Sequence, residues 1–313
     1  MLSRVADNLY WVGRYLQRAE STARLVTVNG HLLLDLPRQV QTGWLPLIEI
    51  LGVEKQFKAL YPAAGDANET NVVRFLLNDP RSASSILSSV RRARESLRTV
   101  RDTLPQESWE KLNDLHLLVQ ADGEKGLNRR YRQEFLQRVI DACLLLFGVL
   151  TSNMSRDTGF QFLRLGTNLE QADMTTRILD VRSVNLIRTR AAEELRPFEN
   201  IQWMSVLRSL TAYEMYRRLV RERVQGDRVL RFLLQDREFP RSVVFCLLRM
   251  QRTLPKLPEK RSVERAITRT LAVLRDADVE SLMEKDLTEF LDEVQVGIAG
   301  INDALSDAYF KAA

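Results

Sequence analysis

Two stretches of the chain carry acids and arginines at the same spacing. Glu20 stands four residues before Arg24, with Arg14 and Arg18 just upstream, and Asp173 stands four residues before Arg177, with Glu170 three residues before the aspartate. On a helix an acid four residues ahead of an arginine lies beside it, in the order that favours an ion pair worth about 0.2–0.5 kcal/mol at a surface. A purely structural role is the plain reading. Both acids are also flanked by small residues, Ala19 and Ala23 in the first stretch and Ala172 and Thr176 in the second, so a neighbouring helix can approach closely and bury the pair. A buried ion pair is costly unless fully hydrogen-bonded and is weak support for stability. Glu20, Glu170 and Asp173 are therefore the candidate general acids or bases. Arg14, Arg18, Arg24 and Arg177 are the candidate contacts for an acidic substrate or a partner.

Other chemistries lack their residues. His31 and His116 are isolated, no Cys-x-x-Cys or His-x-x-x-His occurs, and no Glu-x-x-His pair is present for a di-iron bundle site, so no metal site is expected. Cys143 and Cys246 sit in apolar runs, DACLLLFG and VVFCLLRM, as small hydrophobes rather than nucleophiles. No G-x-G-x-x-G or G-x-x-x-x-G-K-[ST] loop exists to cradle phosphates. The chain is expected to hold no cofactor of its own.

The elements that position these residues read as helices throughout. Apolar residues recur at helical spacing nearly everywhere, and the one hairpin-like dipeptide, Asn29-Gly30, lies inside such a pattern. We expect an all-α fold of about a dozen helices, with breaks near residues 37–43, 61–68, 79–81, 121–126, 196–197, 238–240 and 255–258, where Pro and Gly cluster. Residues 12–28, VGRYLQRAESTARLVTV, align without gaps on 165–181, LGTNLEQADMTTRILDV, in the shared pattern G-x-x-L-x-x-A-[ED]-x-T-x-R. Leu2-Ser3-Arg4 echoes Met154-Ser155-Arg156, the run 73–79 matches 230–236, and Trp44 corresponds to Trp203. Matches in one order with slowly drifting offsets indicate a duplication into halves of about 1–153 and 154–313. The expectation is an internally duplicated helical bundle, one domain over 1–313, its halves related by a pseudo-two-fold axis. On the repeated helix, Leu9, Val12, Leu16, Ala19, Ala23 and Val26 form an apolar stripe edged by Gln17, Glu20 and Arg24. Phe162, Leu165, Leu169, Ala172, Thr176 and Leu179 form its counterpart, edged by Glu170, Asp173, Arg177 and Asp180.

With 313 residues, 45% of them hydrophobic, the chain can bury a substantial core. The net charge of +5 is mild, although 38 of the 46 cations are arginine. Clusters at Arg91, Arg92, Arg94, Arg98 and Arg101, at Arg129, Arg130 and Arg132, and at Arg217, Arg218, Arg221 and Arg223 are interleaved with Glu95, Asp102, Glu134, Glu214 and Glu222. They read as solvated helix faces rather than a nucleic-acid surface. The stripe 144–150, Phe160, Phe162 and the four tryptophans read as core or interface. Two thiols in apolar runs suggest a reducing cytoplasm. The longest nearly uncharged stretch, 142–154, is too short for a bilayer, and the N-terminus shows no signal-peptide core.

RYLQRAESTAR in the first half and RDTGFQFLRLGTNLEQADMTTRILD in the second resemble the alpha-E domain family, bacterial all-helical proteins named for an E-R signature in this helix. The resemblance covers essentially the whole chain. It rests on Arg14, Tyr15, Arg18, Ala19, Glu20 and Arg24, and on Arg156, Asp157, Gly159, Phe162, Leu165, Gly166, Leu169, Glu170, Ala172 and Arg177. Thr167 and Gln171 stand where the family pattern reads Arg, so the dipeptide is here Glu170-Gln171, and an anion contact made there in the family is either weakened here or moved to Arg14 or Arg18. The resemblance implies partnership with a circularly permuted ATP-grasp carboxylate-amine ligase, in a setting that includes transglutaminase-like proteins and a proteasome-like peptidase. The implied work is synthesis or processing of a peptide or amide-linked metabolite, with any ATP and Mg2+ supplied through the partner. Two alternatives stand beside an accessory or co-catalytic role: an enzyme in its own right using the Glu/Arg centre, and a purely structural scaffold.

Overall fold

The computed structural model describes residues 3–63, 65–191, 198–258, 261–284 and 286–311. Among these residues there is no strand, and fifteen α-helices follow one another. The first is α1 (Ser3–Asp35), followed by α2 (Leu45–Ile50), α3 (Glu54–Leu60), α4 (Glu69–Leu77), α5 (Ile86–Thr99), α6 (Gln106–Asp122) and α7 (Arg129–Asn153). Next come α8 (Thr158–Ala191), α9 (Glu199–Ser209), α10 (Tyr213–Leu219), α11 (Gly226–Gln235), α12 (Val243–Thr253), α13 (Arg261–Asp276), α14 (Val279–Glu284) and α15 (Leu287–Leu305). The all-α expectation holds. Helices stop at each Pro/Gly cluster the sequence marks, except that residues 196–197 lie outside the described residues. The dozen becomes fifteen because the chain also breaks at single residues, among them Gly52, with φ of 64°, and Thr211 and Asp286, which adopt left-handed backbone with φ of 52° and 70°.

The chain divides into two compact units, and the dividing line runs through α1 and α8. One unit comprises residues 1–27, 47–170 and 309–313; the other comprises 28–46 and 171–308. In the first unit α5, α6 and α7 pack in succession, with Leu97, Leu112, Leu115, Val119, Leu136 and Cys143 fully buried or nearly so. In the second, α11 packs on α12, α12 on α13 and α13 on α15. Both apolar stripes of the repeated helix are buried at every expected position, none more than 3% exposed.

One capping device occurs once in each unit. Ser85 caps α5 by accepting from the Ser88 N–H, while its own hydroxyl donates to the Asp79 carbonyl at 2.9 Å. Ser242 caps α12 through the Phe245 N–H, and its hydroxyl donates to the Asp236 carbonyl. The Asp79 and Asp236 carboxylates accept the backbone N–H two residues on, from Arg81 and Glu238. Such caps satisfy donors that a helix start leaves open.

Leu144 and Leu145 correct the core reading of 144–150, being 47% and 52% exposed on α7. By length and composition alone α7 is the described helix apolar enough to cross a membrane, with 44% of its apolar window buried inside the protein.

Candidate functional site

Within the first unit α1 meets α8 at two glycines. A Cβ on Gly13 would lie 2.4 Å from the Leu163 carbonyl oxygen, and one on Gly166 would lie 2.0 Å from the Tyr10 carbonyl oxygen. Those distances are below any ordinary contact, so only glycine lets the backbones approach this far. The contacts are reciprocal under the 153-residue offset, since Gly13 aligns with Gly166 and Tyr10 with Leu163.

This approach brings side chains of α1 onto Glu170. The Arg14 Nε donates to Glu170 Oε2 at 2.7 Å, and Arg18 reaches both oxygens, Nε to Oε1 at 2.6 Å and Nη2 to Oε2 at 3.0 Å. The carboxylate is 1% exposed and the two arginines 11% and 17%. Burial alone would push the Glu170 carboxyl up. The charges of Arg18 and Arg14, with their hydrogen bonds, outweigh that and hold it at about 2. The Arg14 guanidinium also lies over the Trp11 ring, 4.9 Å from its centroid, and Trp11 stacks on Tyr15. Aromatic faces thus help hold the cation in place.

One turn along α1, the Gln17 amide donates to Glu20 Oε2 at 2.6 Å and to the Ser21 hydroxyl at 3.1 Å, while the Arg24 Nε donates to Glu20 Oε1 at 2.6 Å. Gln17 and Glu20, at the edge of the stripe, are buried, 1% and 0% exposed, and for Glu20 that agrees with the close helix approach its small neighbours allow. The expected helical pair of Glu20 and Arg24 is present.

Asp173 and Arg177 pair in the same i, i+4 manner, at 2.9 Å, in the second unit. The structure therefore gathers Arg14, Arg18, Glu20, Arg24 and Glu170 in one unit and places Asp173 with Arg177 in the other. In that second unit Arg182, which the sequence reading did not single out, is 5% exposed and donates to Asn29 Oδ1 at 2.9 Å. Burial pulls it down to about 10.

Glu170 stays ionised and doubly neutralised at neutral pH, so it neither offers nor collects a proton there. Burial raises both cysteine thiols, Cys246 to about 12, so neither is a thiolate at neutral pH. Among the described residues no three His, Cys, Asp or Glu side chains group as metal ligands. The Trp11 contact had no signal beyond an aromatic three residues before Arg14, whereas both glycines stood in the shared pattern.

No solved structure matches this chain. Uncharacterized proteins of Mycobacterium bovis and Mycobacterium tuberculosis are each 25% identical over 325 residues, covering 97% of this chain and 36% of the relative. The chain thus spans little more than a third of the curated relatives it matches. A family defined as a predicted alpha-helical domain with a conserved ER motif, Alpha-E, matches residues 1–310. With that match running nearly end to end, over the helices that carry Glu170 and its arginines, the chain belongs to the Alpha-E family.

Proposed function

We propose that this protein is an accessory partner of an ATP-grasp carboxylate-amine ligase, acting in synthesis or processing of a peptide or amide-linked metabolite. The observation that carries the non-catalytic part is the locking of Glu170 by Arg14 and Arg18. A carboxylate held near pKa 2 and buried under two guanidiniums suits a clamp that fixes α8 on α1, and it does not suit proton transfer. The length of the mycobacterial relatives supports a module that works joined to other protein, since there the matching region is 36% of the whole. The identity of the partner rests on the family resemblance. ATP and Mg2+ belong to that partner, and transglutaminase-like and proteasome-like proteins belong to the same setting. Two buried free thiols support a cytoplasmic location.

We also read the chain as an internal duplication with pseudo-two-fold character. The reciprocal glycine contacts and the matched Ser85 and Ser242 caps support this. In that reading the E-R signature is divided between the copies: Gln17-Arg18 aligns with Glu170-Gln171, and the retained arginine of one meets the retained glutamate of the other.

The test is the light-scattering mass of this protein mixed with an ATP-grasp protein encoded beside it. A mass equal to the sum supports the partnership and directs assays to ADP release with amino-acid and peptide acceptors. Two unshifted peaks, with and without ATP, overturn it. If the purified protein alone turned over a substrate, and Glu20→Gln abolished that while the fold survived, the stand-alone enzyme would replace this reading.

A further inference from the structure

Residues 208–231 hold seven arginines against three acids. The backbone bends this segment into a pocket. At Thr211 the left-handed turn closes α9, with the Ala212 N–H donating to the Leu207 carbonyl at 2.7 Å, and α10 starts at Tyr213. The chain returns through 220–225 to α11. Tyr216 and Val224 are buried on either side of the return, and Gly226 lies flush against Trp203, where a Cβ would sit 2.8 Å from the indole. The hollow between has a volume of about 600 Å3 and is lined by Tyr213, Arg217, Arg221, Glu222, Arg223 and Gln225, with Val224 at its floor.

Its charges are unbalanced. Glu222, the one carboxylate in the lining, is ion-paired with Arg228 from outside it. Arg217, Arg221 and Arg223 have no ion-pair or hydrogen-bond partner among the described residues. Three guanidiniums facing one hollow repel each other unless an anion lies between them, and a concave surface lined mainly by one sign of charge focuses the field they present. Guanidinium forks match phosphate oxygens two at a time. Tyr213, with Arg208 over its ring at 5.3 Å, offers an aromatic wall for a less polar portion. The volume is that of a small-molecule site. A nucleic-acid strand needs a row of stacking aromatics, and this lining has one.

We propose that this hollow binds a small molecule carrying two or more linked phosphates, held by Arg217, Arg221 and Arg223. The test is calorimetric titration of the full chain with pyrophosphate and with tripolyphosphate at low and at physiological salt. Saturable one-to-one binding is expected, tighter for tripolyphosphate and weakened by salt. Arg217→Ala and Arg221→Ala should each weaken it by about tenfold or more, with unchanged helical content because both side chains are exposed. Arg261→Ala and Arg265→Ala on α13 should leave it unchanged. Equal loss in the α13 variants, no saturable binding at millimolar tripolyphosphate, citrate binding as tightly as tripolyphosphate, or single-stranded RNA binding in place of it would each overturn the proposal.

Discussion

Glu170 stabilises the fold only while it is ionised. Its folded pKa of about 2 lies below the ordinary 4.5, so its contribution is complete above about pH 4.5 and drains away as pH falls toward 2. Glu170→Gln should lower stability by about 3–5 kcal/mol at pH 7, since it removes the negative charge that two nearly buried guanidiniums share. The variant's acid limb between pH 4.5 and 2 should flatten relative to the parent. Urea melts across that range measure both, and an unchanged limb would place the acid sensitivity elsewhere. Arg182 poses the reverse case, a buried cation bonded to the neutral Asn29 amide. Burying a charge without a carboxylate costs several kcal/mol in general, against about 1–3 for the unsatisfied Asn29 oxygen that its removal leaves. Arg182→Met should therefore stabilise, by about 1 kcal/mol in urea; destabilisation would mean that an anion normally sits beside it. Within one helix the pairs were legible from spacing alone, as Glu20 with Arg24 and Asp173 with Arg177 show. The Arg14 and Arg18 contacts to Glu170 were not, because they depend on the register between two helices far apart in sequence.

At the scale of elements, two forces compete at the α1–α8 approach. Gly→Ala inside a helix gains about 1 kcal/mol of intrinsic propensity, while a Cβ 2.0 Å from the Tyr10 carbonyl oxygen must push backbone aside, and overpacking typically costs about 1–3 kcal/mol. With rigid backbone as the obstacle the clash wins, so Gly166→Ala should lose about 1–2 kcal/mol, and Gly13→Ala somewhat less. Gly148, with open space around it, should gain stability on the same change, which makes it the control in a thermal melt. Thr211 is the opposite device, a β-branched residue in left-handed backbone, a placement that costs about 1–3 kcal/mol. Thr211→Gly removes that strain for an entropic loss of about 0.5–1 kcal/mol, so the melt should rise. Sequence marked the helix ends where Pro and Gly cluster, because those residues act locally, but not the single Gly52 between α2 and α3 or Pro105 before α6. It missed Thr211, a β-branched residue that does not favour such a turn, and Asp286, a residue type that tolerates left-handed backbone but is common elsewhere, and it misread Leu144 and Leu145, since an apolar residue on a helix carries no statement of which neighbour covers it.

The whole molecule was legible as helices, and the repeated sequence pattern supplies the sharpest test of the proposed duplication. If the copies are related by a pseudo-two-fold axis, the Arg14–Glu170 pair has a mirror position at Thr167 and Gln17, filled here with neutral groups. Both residues lie in the first unit, and Thr167 already stands against Gly13. Gln17→Glu alone replaces the donor to Glu20 with a second buried carboxylate, which should cost about 3 kcal/mol or more. Thr167→Arg alone adds a cation with no acid provided for it. Together they rebuild the charged contact on the mirror side, so a double-mutant cycle in urea should show favourable coupling of about 1–3 kcal/mol, within the range for residues in contact. Additivity would mean that the reciprocity of the glycine contacts does not extend to the charged pair at this crossing. Coupling would mean that the present chain holds one charged and one neutral version of the same contact, and that Thr167 and Gln17 mark where the second was lost or was never needed.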